Sequence, residues 1–203
     1  MKRTWFVALL TGLAANAAAQ RVAEPPEGLA QATFAGGCFW CVEEAFDPVD
    51  GVEATISGYT GGETEHPSYK QVASGYTDHA EAVRVHYDPD TVDYERLVEV
   101  FWHNIDPTVA DRQFCDQGAQ YRTAIFYHNE RQKRLAEASR DAIEESGQLP
   151  GPVVTDIEAA GPFYRAQEAH QDYYRRLNVA QWRASHPIAF PVQGPPVCGP
   201  THA

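Results

Sequence analysis

The hydrophobic positions of this chain change period at well-marked points, and those points divide it into elements. "QATFAGG", residues 31–37, alternates apolar with polar and small side chains and ends in two glycines, which predicts a first strand running into a tight turn at Gly36 and Gly37. From Cys38 the spacing becomes helical, with Phe39, Val42 and Phe46 at i, i+3 and i+7, until Pro48 stops it. Cys38 therefore falls at a strand-to-helix junction. "VEATISGYTGG" (52–62) reads as a second strand closed by Gly61 and Gly62. "HAEAVRVHYDP" (79–89) reads as a third, with Ala80, Ala82, Arg84 and His86 on one face and Glu81, Val83, Val85 and Tyr87 on the other. Between these two strands, "ETEHPSYKQVASGYTD" is polar and turn-rich, a surface excursion.

A long helix follows from Asp93, where Tyr94, Leu97, Val98, Phe101 and Ile105 share one face and Pro107 ends the run. "QYRTAIFYH" predicts a fourth strand. A helix from Asn129 turns Leu135, Ala138, Ala142 and Ile143 inward and stops at Gly147. "PVVTDIE" is a short strand and "AQEAHQDYYRRL" a last helix. The order strand, helix, strand, strand, helix, strand, helix predicts an α+β fold, a mixed β-sheet with packed helices on a split β-α-β (ferredoxin-like) core. No internal repeat is visible, and from about Ser185 the Pro- and Gly-rich tail reads as irregular.

The chain's start has another pattern. Lys2 and Arg3 precede an apolar run from Trp5 to Ala15, and small residues end in Ala17, Ala18 and Ala19 before Gln20. That is the layout of a secretory signal peptide over residues 1–19, too short to anchor the chain in a membrane. Residues 20–30, Pro- and Glu-rich without periodicity, read as a linker, and 31–203 as a single catalytic domain. The expected location is periplasmic or extracellular. With 203 residues, a formal net charge of −12 and a pI near 5.0, the chain is suited neither to nucleic acid nor to an anionic membrane surface. Its four cysteines, Cys38, Cys41, Cys115 and Cys198, all lie beyond the signal, where disulfides are permitted. Four in a domain of this size are too few for a structural framework, so chemistry is the better reading.

A cysteine in the first turn of a helix meets unpaired backbone N–H groups and the positive end of the helix dipole. Ionisation of Cys38, and to a lesser degree of Cys41, is therefore expected to be favoured. Three readings of "CFWC" compete on the residues alone: a thioredoxin-like disulfide oxidoreductase, half of a zinc site, or a nucleophile beside an aromatic pocket. For zinc, Cys115 and Cys198 are isolated and do not form a second close pair, so no metal site is expected. Val42, which is not histidine, follows Cys41 and excludes a c-type haem.

"GGCFWCVEEAF", "GVEATISGYTGGETEHPSYKQVASGYTDHAEAVRVHYDP", "VFWHNIDPT" and "FCDQGAQYRTAIFYH", in this order and spacing, strongly resemble the A-type peptide methionine sulfoxide reductases. The resemblance runs from about Thr33 to Tyr174. It implies that Cys38 is the nucleophile on the sulfoxide sulfur, and that Phe39 and Trp40 hold the methionine ε-methyl group. Glu81 would donate a proton to the sulfoxide oxygen, while Tyr69, Asp116 and Tyr121 would hydrogen-bond that oxygen or the water that precedes it. It further implies reduction of the S epimer, a sulfenic acid on Cys38, no prosthetic group and an external thioredoxin-like thiol reductant.

The chain departs from many members of the family, which carry glycine at the position of Cys41 and a resolving cysteine in the C-terminal tail. Here both options exist. Cys41, one turn from Cys38, and Cys198, in the tail, are the two candidates to resolve the sulfenic acid, and Cys115 is either a third or a thiol lining the pocket. Outside the cytosol the reductant is expected to be a thioredoxin-like domain fed by a membrane thiol-electron carrier.

Overall fold

The computed structural model of this protein describes residues 19–177. The expected signal segment before Ala19, the irregular tail and Cys198 lie outside those residues. Along the chain run β1 (Gln20–Arg21), β2 (Ala30–Gly36), α1 (Phe39–Phe46), β3 (Val52–Thr60), α2 (Tyr69–Ala73), β4 (Ala80–Tyr87) and α3 (Tyr94–His103). After them come β5 (Arg112–Gln113), β6 (Asp116–Gln117), β7 (Thr123–Tyr127), α4 (Glu130–Glu145), β8 (Asp156–Ala159), β9 (Tyr164–Arg165) and α5 (Tyr173–Arg176). Single 3-10 turns occupy Ala119–Tyr121 and Glu168–His170.

Among the described residues seven strands form one sheet in the order β1-β9-β3-β4-β2-β7-β8, and β5 and β6 form a separate small hairpin. Its centre, β3-β4-β2-β7, is antiparallel throughout and is built as β2-α1-β3-β4-α3-β7, the ferredoxin-like arrangement expected from the element order. β8 joins in parallel beside β7 and makes the sheet mixed. The class is α+β.

The helices cover one face. Phe34 on β2 stacks on Phe46 of α1 at 4.9 Å and on Phe101 of α3 at 5.2 Å, so one aromatic ring pins both helices to the central strand. Trp102 Nε1 donates to Ser139 Oγ at 2.8 Å and ties α3 to α4. On the other face small residues (Ala35, Ala80, Ala82, Ala124) pack with Phe126 and Phe163 beneath the chain that leads into β9. β4 is buried along its whole length, which is why Glu81 on one side and Arg84 and His86 on the other are all withdrawn from water.

Four departures from the sequence reading have local causes. The segment read as a linker is tied at its start, because Gln20 and Arg21 pair with Arg165 and Tyr164. The excursion between β3 and β4 contains α2, started by a capping box in which Ser68 and Gln71 satisfy each other's backbone N–H groups. "QYRTAIFYH" splits: a 3-10 turn carries Tyr121 before β7 begins at Thr123. The expected last helix is broken into a 3-10 turn and the short α5, preceded by β9. Gln171 leaves the helical path to bond Ser57 N and O with its side chain, and Asp172 sits at φ 49°. A two-sided tie to the β3 backbone outweighs a few residues of helix.

Candidate active site

Gly37 makes the turn that begins the site. Its φ of 88° is a left-handed value that side chains resist, and a Cβ there would lie 2.5 Å from Gln113 Cβ. The chain can therefore reverse between β2 and α1 only with glycine at this position. Cys38 follows as the N-cap of α1, and Phe39, Trp40 and Cys41 form the first turn.

Under that turn lies Glu81. Its carboxylate side chain is 2% exposed and accepts a hydrogen bond from Phe39 N–H at 3.2 Å through Oε2. Burial, helped by the negative charges of Asp116 and Cys41 and opposed by the Phe39 bond, pushes its pKa up to about 8. At neutral pH the group is a carboxylic acid, able to give a proton. Tyr69 and Tyr121 are also held protonated, first by burial and then by the charge of Glu81, and both feel Asp116 and Cys38 as well. These mutual influences place the predicted set Cys38, Glu81, Tyr69, Asp116 and Tyr121 in one constellation. It is assembled from the start of α1, β4, α2, β6 and the 3-10 turn before β7.

The two thiols behave differently from the expectation that the helix end would favour ionised Cys38. The Cys41 sulfur, through their shared hydrogen bond, then burial and then nearby negative charge raise Cys38 well above an ordinary thiol. Trp40 N–H pulls the other way, but least. Cys41 is lowered, chiefly by the bond from Cys38, and its Sγ lies 3.6 Å from Tyr174 OH. The pair loses its first proton at Cys41. Both are free thiols, whereas Cys115 is disulfide-bonded and is no free thiol beside the pocket.

The wall of the site contains residues that sequence reasoning missed. Tyr59, paired with Glu81 in register, packs its ring 5.9 Å from Phe39 and donates to Gln167 Oε1 at 3.4 Å. Tyr173 stacks on Trp40 at 3.7 Å and 8°, and the His170 ring is 4.3 Å from Tyr69. The only signal for His170 and Tyr173 was the run "EAHQDYY", rich in aromatic and polar groups, which a helical reading absorbed, and Tyr59 was hidden in the alternation of β3. Together they make an aromatic-walled recess suited to a small apolar group, with neutral hydroxyl and carboxyl donors for one oxygen. Among the described residues no three His, Cys, Asp or Glu side chains are placed to hold a metal ion.

Comparison with known proteins agrees with this chemistry. The family described as "Peptide methionine sulfoxide reductase" matches residues 30–188. The peptide methionine sulfoxide reductase MsrA of Bacillus velezensis is 54% identical over 145 residues, 71% of this chain and 82% of that one. Its namesake in Listeria monocytogenes is 53% identical over 150 residues, 74% and 85% of the two chains. Among solved structures, reduced Mxr1 of Saccharomyces cerevisiae superposes with a TM-score of 0.68 at 30% identity, covering 83% of this chain and 92% of that one. Methionine sulfoxide reductase A of Corynebacterium diphtheriae gives 0.66 at 29%, covering 82% and 79%.

Proposed function

The chain belongs to the peptide methionine sulfoxide reductase family, oxidoreductases acting on methionine sulfoxide in peptides, and from that premise we propose how its own residues carry the reaction. Phe39 and Trp40 receive the ε-methyl group of the S epimer. Tyr69, Tyr121 and Asp116 hold its oxygen. Glu81 gives its proton to that oxygen while Cys38 Sγ attacks the sulfur, and Glu81 recovers a proton from the Cys38 thiol. Attack joins Cys38 Sγ to the substrate sulfur; the hydroxyl then passes to Cys38 Sγ as the original S–O bond and the new S–S bond break, so methionine leaves as the thioether and Cys38 carries a sulfenic acid. The observation that carries this reading is the buried, neutral Glu81 carboxyl bonded to the N–H next to Cys38.

Cys41 resolves the sulfenic acid: its sulfur attacks Cys38 Sγ, water leaves, and a Cys38–Cys41 disulfide forms. Its lowered pKa and its place one turn away support this choice over Cys198, which lies outside the described residues. Cys115 is already spent in a disulfide. An external thioredoxin-like dithiol then reduces the new bond. If the N-terminal signal acts, the targets are oxidised exported proteins.

The test is reduction of a blocked methionine S-sulfoxide and a sulfoxidised peptide with dithiol present, together with disulfide mapping after one turnover without reductant. Activity lost in Cys38→Ser and a Cys38–Cys41 bond are expected. A disulfide oxidoreductase, which would reduce insulin-type disulfides and ignore the sulfoxide, is not favoured. A mature N-terminus at Gln20 on protein recovered outside the cytosol tests export; a chain retained inside with Met1 intact overturns it.

A further inference from the structure

The face of the sheet turned away from the helices carries a group of buried basic side chains with no use in the reaction above. Arg84 and His86 project from β4 on that face, beside Thr33 and Gln31 of β2, their partners in register. His128, just past the end of β7, completes the group. Arg84 is 5% exposed and forms no ion pair among the described residues; burial, above all, lowers its pKa to about 10. Burying a guanidinium without a carboxylate against it is costly unless something else answers its charge.

The hydrogen-bond directions sharpen the point. Arg84 Nε donates to Thr33 Oγ1 at 3.5 Å. Thr33 Oγ1 also shares a hydrogen bond with His128 Nε2 at 2.9 Å, so the hydroxyl joins the guanidinium to the imidazole. The Phe163 ring lies 4.6 Å from the guanidinium carbon and holds the fork flat. Among the described residues neither terminal nitrogen of Arg84 has an acceptor. His86, 6% exposed, likewise has no partner for Nε2. Burial and then the Arg84 charge lower both histidines, so the three basic groups lie within electrostatic reach of one another.

One acid, Glu24, bears on Arg84 and His86, but its carboxylate accepts from Gln31 Nε2 at 2.8 Å and makes no ion pair with either. Arg21 adds a further positive charge nearby. The balance is one buried donor without a partner, His86 Nε2, beside an unpaired guanidinium edge, and a surplus of positive charge in a chain that is otherwise strongly acidic. A ligand that only accepts, carries negative charge and presents two oxygens side by side would satisfy the fork and the orphaned imidazole together.

We propose that Arg84 and His86, with Thr33 and His128 orienting the guanidinium, form a binding site for a small oxyanion on the face of the sheet opposite the catalytic thiols. The guanidinium edge takes two oxygens of the anion, and His86 Nε2–H donates to one of them. The anion locks β2 to β4, the strands that lead to Cys38 and carry Glu81.

The probe is inorganic phosphate, titrated into the full-length protein at constant ionic strength set with sodium chloride, with melting temperature as readout. A saturable rise is expected, about 4 °C at ten times the half-saturating concentration. Arg84→Lys keeps the charge but loses the two-pronged edge, and weakens phosphate about tenfold or more. His86→Phe removes the second donor and also raises the half-saturation point. Because either variant could lower stability by itself, 31P line broadening on the folded proteins at low temperature reads binding directly. Acetate run alongside distinguishes a carboxylate ligand from a tetrahedral one, and saturation by either supports the site. Neither anion acting beyond chloride, or phosphate acting equally on wild type and both variants, overturns it.

Discussion

Replacing Glu81 with glutamine should make the protein more stable and nearly inactive, and the size of the first effect follows from the burial of the carboxyl. In the unfolded chain the group titrates near 4.5; in the folded protein it titrates near 8. Below the lower value both states hold the proton and the carboxyl is neutral in its effect. As pH rises between the two values, the unfolded chain releases a proton that the folded one keeps, and stability falls by about 1.4 kcal/mol per pH unit. The loss is about 3 kcal/mol at pH 7 and levels off near 5 kcal/mol above the folded pKa. Glu81→Gln keeps an oxygen for Phe39 N–H but never ionises, so it escapes this penalty. Calorimetry should show a variant melting roughly 10 °C above wild type at pH 7 and level with it near pH 4. Sulfoxide reduction, lacking its acid, should fall by about 10²- to 10⁴-fold. A variant that gains nothing between pH 4 and pH 8, or that reduces the sulfoxide at the wild-type rate, refutes the assignment of a strained neutral acid at this position.

Tyr174→Phe removes the hydroxyl beside Cys41 Sγ while leaving Cys38 and Glu81 alone. Methionine release in the first turnover should be unchanged and sulfenic acid, trapped by a dimedone-type reagent, should accumulate; equal trapping in wild type would count against the contact. Glu43 on α1, 2% exposed and raised to about 7 by burial, Asp47 and Asp172, loses stability as pH rises from its unfolded value. Glu43→Gln should gain about 3 kcal/mol on wild type by pH 8 and nothing at pH 4, read by urea denaturation at both values. Gly37→Ala places a methyl group against Gln113 at a left-handed φ and should cost about 2 kcal/mol while lowering activity by displacing Cys38. Undiminished activity would separate the turn from the position of the thiol.

The central strands and the helices α1, α3 and α4 were readable in the sequence because each buries a periodic face against one sheet. The period is the imprint of that burial. The grouping of Cys38, Glu81, Tyr69, Asp116 and Tyr121 was readable only through motifs, since a carboxylate on an alternating strand looks the same whether the outer face meets water or protein. For β4 both faces are covered, a property of strand order that local sequence does not carry. The C-terminal segment was misjudged for a related reason. Gln171, Tyr173 and Tyr174 suit a helix by propensity, yet each is spent on a partner far away in the chain: Ser57, Trp40 and Cys41. Long-range ties of that kind leave no period to read.

The electrostatics of the two thiols bear on how the proposed reaction chooses its nucleophile. If ionisation alone decided, Cys41 would attack first, because the pair loses its first proton there. Placement decides otherwise. Cys38 lies near enough to Glu81 for its charge to add to the rise, behind the Cys41 bond, burial and the Cys41 charge, and Glu81 is the proposed proton source for the oxygen. Cys41 is drawn instead toward Tyr174, on the C-terminal segment. A sulfoxide whose oxygen meets Glu81 therefore presents its sulfur to Cys38. The raised pKa of Cys38 then has a use, since a thiol that keeps its proton until substrate arrives resists stray oxidants and can return that proton to Glu81 during attack. Once Cys38 carries the oxygen, the requirement reverses: the next nucleophile must give up its proton readily, and Cys41 is the sulfur whose pKa is lowered. The opposite shifts of the two sulfurs thus match the order of the two proposed steps.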